Sequence, residues 1–238
     1  MRMCFKRFGP IALLAIVALT LAPQAFATAE LRITDGINFV DIVDGGVGDA
    51  NGTLGVPNNV VTFVGTIGTW TLNVTTGSSH GASAGTDLDL NSVNSTSAAS
   101  TLTILFSDNG FASGGHTLSV GGTLQPAVGT PAGSTVSFSA YEAATMFAGC
   151  TALPVPAACT GQIGSTLGPF SATPYSGSTS GSGVGAALTE RAVLQMTGAE
   201  STSFNAALTP VPEPASVALF GGVLLFSVTM TRRKLRKS

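Results

Sequence analysis

Two carboxylate clusters, two histidines, one serine motif and one cysteine pair are the parts of this 238-residue chain whose types and spacing could do chemistry. Asp41, Asp44, Asp49 and Asn51 gather around Gly45, Gly46, Gly48 and Gly52. Oxygen ligands on a glycine-rich loop suit Ca²⁺, so these four form a candidate calcium site, with solvated turn carboxylates as the plainer alternative. The order of an EF-hand is absent, and G-G-V-G-D stands one residue off the calcium-binding nonapeptide and occurs once. Asp87, Asp89 and Asn91 follow D-x-D-x-N, but position twelve of that loop would be Ala98, and alternation with Leu88 and Leu90 reads as a strand. Gly81-Ala82-Ser83-Ala84-Gly85 fits G-x-S-x-G, with Asp108 and His116 following in hydrolase order. A nucleophile elbow needs a strand before the serine and a helix after it, and neither surrounds Ser83. In a chain with 30 glycines the match is expected by chance. His80 and His116 lack the spacing of a zinc site and are expected as solvated loop residues. No cofactor is assigned.

Cys150 and Cys159 are separated by TALPVPAA. The remaining cysteine, Cys4, lies in a removable leader, and an even pair in an exported chain is expected to form a disulfide. Closing so short a loop is worth about 2.5–3 kcal/mol in the chain-entropy picture.

The leader itself has a basic start (Arg2, Lys6, Arg7), an apolar run from Ile11 to Leu21, and Ala25-Phe26-Ala27. That order describes a signal peptide over residues 1–27, cleaved after Ala27, with Ala25 and Ala27 offering the small side chains a signal peptidase accepts. The competing reading is an uncleaved anchor. At the other end stand Val211-Pro212-Glu213-Pro214, then an uncharged run from Ala215 to Thr231, then Arg232, Arg233, Lys234, Arg236 and Lys237. As a helix the run would reach about 25 Å, the low end of a membrane span. The cations favour the cytoplasmic side, and the prolines place the helix start near Pro214 or Ala215.

The segment Val211 to Lys237 resembles the PEP-CTERM sorting signal of exported proteins in biofilm-forming bacteria: the V-P-E-P motif, a short span containing Gly221-Gly222, and a basic terminus, in that order. The resemblance implies recognition by an exosortase, removal of the tail near the motif, transient residence in the inner membrane, and association with extracellular polysaccharide. The stretch from about Leu31 to Phe111, including DGGVGDANG and VTFVGTIGTWTLNVTTG, is similar to a segment found in other PEP-CTERM proteins; that resemblance names no activity. A plain single-span anchor is the alternative account of the tail.

Between the ends, residues 28–209 are expected to form one ectodomain, with 210–238 as the sorting signal. The exported part carries eleven carboxylates against two cations, Arg32 and Arg191, and no lysine. An acidic surface repels phosphate backbones, which argues against nucleic acid as a partner. Gly, Ser, Thr, Ala and Val dominate, which argues against a helical bundle. Trp70, Leu72 and Val74 alternate with polar residues, as do Val136, Phe138 and Ala140. Further strands are expected at Leu31–Thr34, Ile37–Val43, Val60–Ile67, Asp87–Val93, Leu102–Ser107, Thr117–Val120, 192–197 and Ser203–Leu208. About ten short strands separated by Asn-Gly and Gly-Gly turns predict an all-β fold, a single antiparallel sandwich. Phe63, Trp70, Leu72, Leu102, Ile104, Phe106, Val136 and Phe138 should be largely buried. Ile104-Leu105-Phe106 is apolar on both faces, which predicts a central strand. Gly161 to Gly185, rich in Gly, Ser, Thr and Pro, reads as a loop.

The function expected from these features is a non-catalytic protein of the cell surface or extracellular matrix. An exported polysaccharide hydrolase is the alternative; it would need two carboxyls about 5–10 Å apart in a concave groove.

Overall fold

The computed structural model describes residues 29–79, 87–111, 113–127, 129, 132–150 and 159–211. Ala25, Ala27, Pro212, Glu213, Pro214, Arg232, Arg233, Lys234, Arg236, Lys237, His80 and Ser83 lie outside the described residues.

Twelve strands follow one another with no helix among the described residues: β1 (Glu30–Thr34), β2 (Phe39–Val43), β3 (Val60–Ile67), β4 (Trp70–Ser79), β5 (Leu88–Thr96), β6 (Ser100–Asn109), β7 (Gly115–Pro126), β8 (Thr135–Ala143), β9 (Gln162–Phe170), β10 (Tyr175–Ser182), β11 (Ala187–Met196) and β12 (Glu200–Pro210). They form two six-stranded antiparallel sheets. Sheet I has the order β2-β1-β6-β11-β8-β9 and sheet II the order β10-β7-β12-β5-β4-β3. The ten strands expected from alternation are all present.

Period-two patterning decides which side chains face the interior. On β11, Leu188, Ala192, Leu194 and Met196 are buried; on β12, Phe204, Ala206 and Leu208 are. These meet Leu31, Ile33, Leu72, Leu102, Ile104, Phe106, Val136 and Phe138 in one core between the sheets. Each such large apolar side chain contributes about 1.5–3 kcal/mol on leaving water. Trp70 is fully buried and donates its indole N–H to Ser100 Oγ at 3.0 Å. Phe63 packs only half-buried at the core's edge. An aromatic group closes one side: Phe138 meets Phe204 edge-on at 5.1 Å, and Phe170 stacks on Tyr175 at 4.9 Å.

Strand β6 is interior to its sheet, as expected, and both its faces are covered. The second cover is a cap. Leu105 points away from the main core into a small cluster with Tyr141, Met146, Phe147, Cys150 and Cys159. Cys150 and Cys159 form a disulfide, with Cα atoms 4.5 Å apart. Arg32 stacks over the Phe147 ring at 4.1 Å from its centroid.

The Gly161–Gly185 loop expectation is corrected. Most of that stretch forms strands β9 and β10, joined by a turn over 171–174. β9 hydrogen-bonds to β8 with two register shifts, and β10 pairs evenly with β7 over eight residues. Gly164 and Gly168 adopt positive φ (64° and 96°), which lets β9 bulge without a Cβ penalty. Ile163, Leu167, Phe170 and Tyr175 anchor the pair to the core, and the backbone ladder does the rest.

Candidate functional site

All connections and strand ends can be sorted to two ends of the sandwich by strand direction. One end, called here the exit end, collects the starts of β1, β3, β5, β7, β9 and β11 and the ends of β2, β4, β6, β8, β10 and β12. The chain leaves it at Val211, whose N–H donates to the Gly115 carbonyl at 2.7 Å.

The exit end holds the described histidine and most of the buried carboxyls. His116, expected as a solvated loop residue, is instead 2% exposed within β7; its position on the inward parity with Leu118 and Val120 places it there. Its Nε2 lies 3.0 Å from Asp87 Oδ2 and its Nδ1 3.5 Å from Glu142 Oε2, the latter too long to count as a hydrogen bond. Glu142 accepts from Gly183 N–H at 2.9 Å and from Gly114 N–H at 3.3 Å. The two carboxylates stand on opposite edges of the imidazole, a geometry that ties β5, β7, β8 and the β10–β11 connection together. Asp108, buried at the end of β6, accepts from Ser79 and from the Asn109 N–H; burial raises its pKa, with Asp44 adding to the effect.

The candidate calcium residues do not converge. Asp44 is buried and accepts from Asn58 and Asn59 N–H groups at 2.6–3.0 Å. Asp49 accepts from the N–H groups of Gly45, Asn51 and Thr62. Asp41 sits on the outer face of sheet I, 3.2 Å from Arg32 Nε. Asn51 is exposed. Among the described residues no group of three or more His, Cys, Asp or Glu side chains is placed to hold a metal ion.

Six carboxyls are interior groups: Asp44, Asp87, Asp108, Glu142, Glu190 and Glu200 are all buried. Parity could have found three of them. Glu142 continues the inward set Val136, Phe138, Ala140; Glu190 shares a face with Ala192 and Leu194; Glu200 shares one with Thr202 and Phe204.

The outer face of sheet II is an open surface of defined chemistry. Its strand registers align Ser176, Gly121, Asn205, Asn91, Thr76 and Thr62 in one row across all six strands. The next row is Ser178, Ser119, Ala207, Asp89, Ser78 and Val60, and a third runs Gln125, Ser201, Ser95, Thr71 and Thr66. Asp89 is the one ionisable group in these rows, and Asn91 Nδ2 donates to it at 2.9 Å. Hydroxyls bridge strands at Thr62···Thr76 (3.0 Å), Thr117···Ser180 (2.8 Å) and Thr123···Ser203 (2.9 Å). Hydroxyl and amide groups at about 4.8 Å between strands predominate on this face, interrupted by the exposed side chains of Val64 and Val93. Trp70, Tyr141 and Tyr175, the chain's Trp and Tyr side chains, are all buried elsewhere, so stacking platforms from those types do not stand on it.

No family model matches the chain, and no curated protein matches it. Among solved structures, a match is found to TmCBM61, a carbohydrate-binding module, in complex with beta-1,4-galactotriose, at 4% identity and a TM-score of 0.33, covering 52% of this chain and 72% of that chain. At that level of likeness none of its ligand contacts transfers to this chain.

Proposed function

We propose that this is an exported, non-catalytic protein of the bacterial cell surface or extracellular matrix, delivered by its N-terminal leader and processed by an exosortase at its C-terminal signal. The observation that carries the sorting reading is the order of three elements, Val211–Pro214, the uncharged run 215–231 and the terminal basic cluster, behind a signal peptide. The last strand, β12, ends at Pro210, next to the first residue of the motif. In lipid, a span must satisfy its own backbone hydrogen bonds, which requires a helix over 215–231. Pro212 and Pro214 keep Glu213 out of that helix and extended.

For the ectodomain, the outer face of sheet II supports contact with hydrated extracellular polysaccharide. Sugar hydroxyls exchange hydrogen bonds with Ser, Thr and Asn at little net gain per contact, so such binding is weak singly and effective through repetition. The buried, internally bonded carboxyls of the exit end favour a structural role over a hydrolytic one, because an acid pair must face a substrate groove.

The test is mass spectrometry of the mature C-terminus from cells with and without an exosortase, together with Glu213→Ala. The expected result is loss of residues beyond the motif only in the exosortase-bearing cells, with the variant accumulating at full length in the inner membrane. Equal processing of variant and native chains would overturn the reading in favour of a plain anchor.

A further inference from the structure

We infer that the exit end of the sandwich is a bilayer-facing surface, seated on the lipid headgroup layer while the tail is in the membrane. This rests on the reading of residues 215–231 as a span. The geometry follows from where the chain leaves. β12 is third of six in the order β10-β7-β12-β5-β4-β3, so Val211 emerges from the middle of the exit end and not from an edge. Ala215 begins the apolar run four residues later. Fully extended, four residues span at most about 14 Å, so the exit end is held within that distance of the membrane.

The side chains turned outward at this end suit that position. The β2–β3 connection presents Val47 (86% exposed), Leu54 (71%) and Val56 (57%). The β10–β11 connection presents Val184 (87%). The first group lies at the β3 side of sheet II and Val184 at the β10 side, with Val211, itself exposed, between them. Apolar side chains thus flank Val211 on both sides. They cannot fold inward freely. The β2–β3 connection is clamped by Asp44 on the Asn58 and Asn59 N–H groups and by the Gly55 N–H to Gly45 carbonyl bond at 2.8 Å. The carboxyls at this end are buried or paired: Asp44, Asp87, Asp108 and Glu142 are buried, Glu30 pairs with Arg32 at 2.7 Å, and Asp49 is engaged by three backbone N–H groups. An acidic domain thereby turns toward an anionic headgroup layer an end whose carboxyls are withdrawn, so repulsion there is small. At the opposite end, Ile37 in the β1–β2 turn (81%) and Phe39 at the start of β2 (51%) are exposed.

The experiment uses the full chain reconstituted into vesicles of phosphatidylcholine and phosphatidylglycerol, with single variants Val47→Trp, Val184→Trp and Ile37→Trp. These positions are exposed, so folding should be unaffected. Trp70, fully buried, contributes a constant background. Emission is read with and without lipids brominated near the headgroup, and insertion of the tail is read separately by resistance to alkaline extraction. The expected result is a blue shift and loss of emission at positions 47 and 184 but not at 37. If the chain resists extraction while all three positions emit alike, the bilayer-facing surface is overturned and the tail reading stands. If the chain is extracted, the tail reading fails and this inference falls with it.

Discussion

The ring of Phe106 occupies the volume that a side chain at position 77 would take. Gly77 lies on β4 of sheet II and Phe106 on β6 of sheet I, so the sheets meet here with no room for a Cβ. Phe106 is fully buried in the core between the sheets. Gly77→Ala should therefore cost about 1–3 kcal/mol through overpacking, and Gly77→Val more. Urea unfolding would show the midpoint fall; a midpoint unchanged in Gly77→Val would refute the contact.

In the sequence, Gly77 sits in the run T-T-G-S-S and looks like turn punctuation. Only the pairing of the sheets shows it to be a packing glycine. The same division runs through the whole fold. Val136, Phe138 and Ala140 were legible because bulky and small side chains alternate with polar ones. β9 and β10 were not, because Gly and Ser carry too little side chain to show a period, and their support comes from backbone pairing and from Phe170 and Tyr175. The hydroxyl-rich composition of the ectodomain was plain. That Asn205, Asn91 and Thr76 share one row required the strand order, which no local pattern encodes.

Removing the imidazole between Asp87 and Glu142 should be costly. His116→Ala leaves Asp87 Oδ2 without its partner at 3.0 Å in a site sealed from water. A buried acceptor left unpaired costs about 1–3 kcal/mol, and more when ionised, so a loss of about 3 kcal/mol is expected. Thermal unfolding checks it; a change under about 0.5 kcal/mol, the range of ordinary surface substitutions, would show that the triad bears no load.

The disulfide ties residues 150 and 159 into the cluster with Leu105, Tyr141 and Phe147, whose ring Arg32 covers. The double variant Cys150→Ser, Cys159→Ser should lose about 2.5–3 kcal/mol. Thiol labelling of the native protein should find both cysteines blocked until a reductant is added. Free thiols in periplasmic protein would contradict the pairing.

Stability should fall as pH rises from the carboxylate range toward neutrality. Glu190 is buried between Phe106 and Ala140, and neither of its oxygens has a hydrogen-bond partner. Burial first, and then the Asp89 charge, push its pKa well above the ordinary 4.5. Glu30 is raised to about 7, by burial first and then by Asp41. Above pH 4.5 the unfolded chain releases protons that the folded chain still holds, so the stability these groups contribute is full below that value and is lost as pH rises through the folded values. Denaturation of Glu190→Gln across pH 5 to 8 should show a shallower decline than the native protein. Equal slopes would mean that Glu190 does not hold its proton.

The polar face of sheet II makes the last prediction. Asn205 is exposed at the centre of the row Ser176, Gly121, Asn205, Asn91, Thr76 and Thr62, with Thr76 two strands away. If hydroxyl and amide groups here exchange hydrogen bonds with sugars, a carboxylate placed among them holds its own water and resists giving it up. The double variant Asn205→Asp, Thr76→Asp should then co-sediment several-fold less with polysaccharide from the producing cells, since repeated weak contacts lose affinity multiplicatively. Its unfolding midpoint should move little, because position 205 is open to solvent and position 76 faces outward beside Thr62. Ser137→Asp, on the outer face of sheet I, is the matched control for added charge. A double variant that binds like the native chain, while the control also binds, would show that this face makes no contact with the polysaccharide.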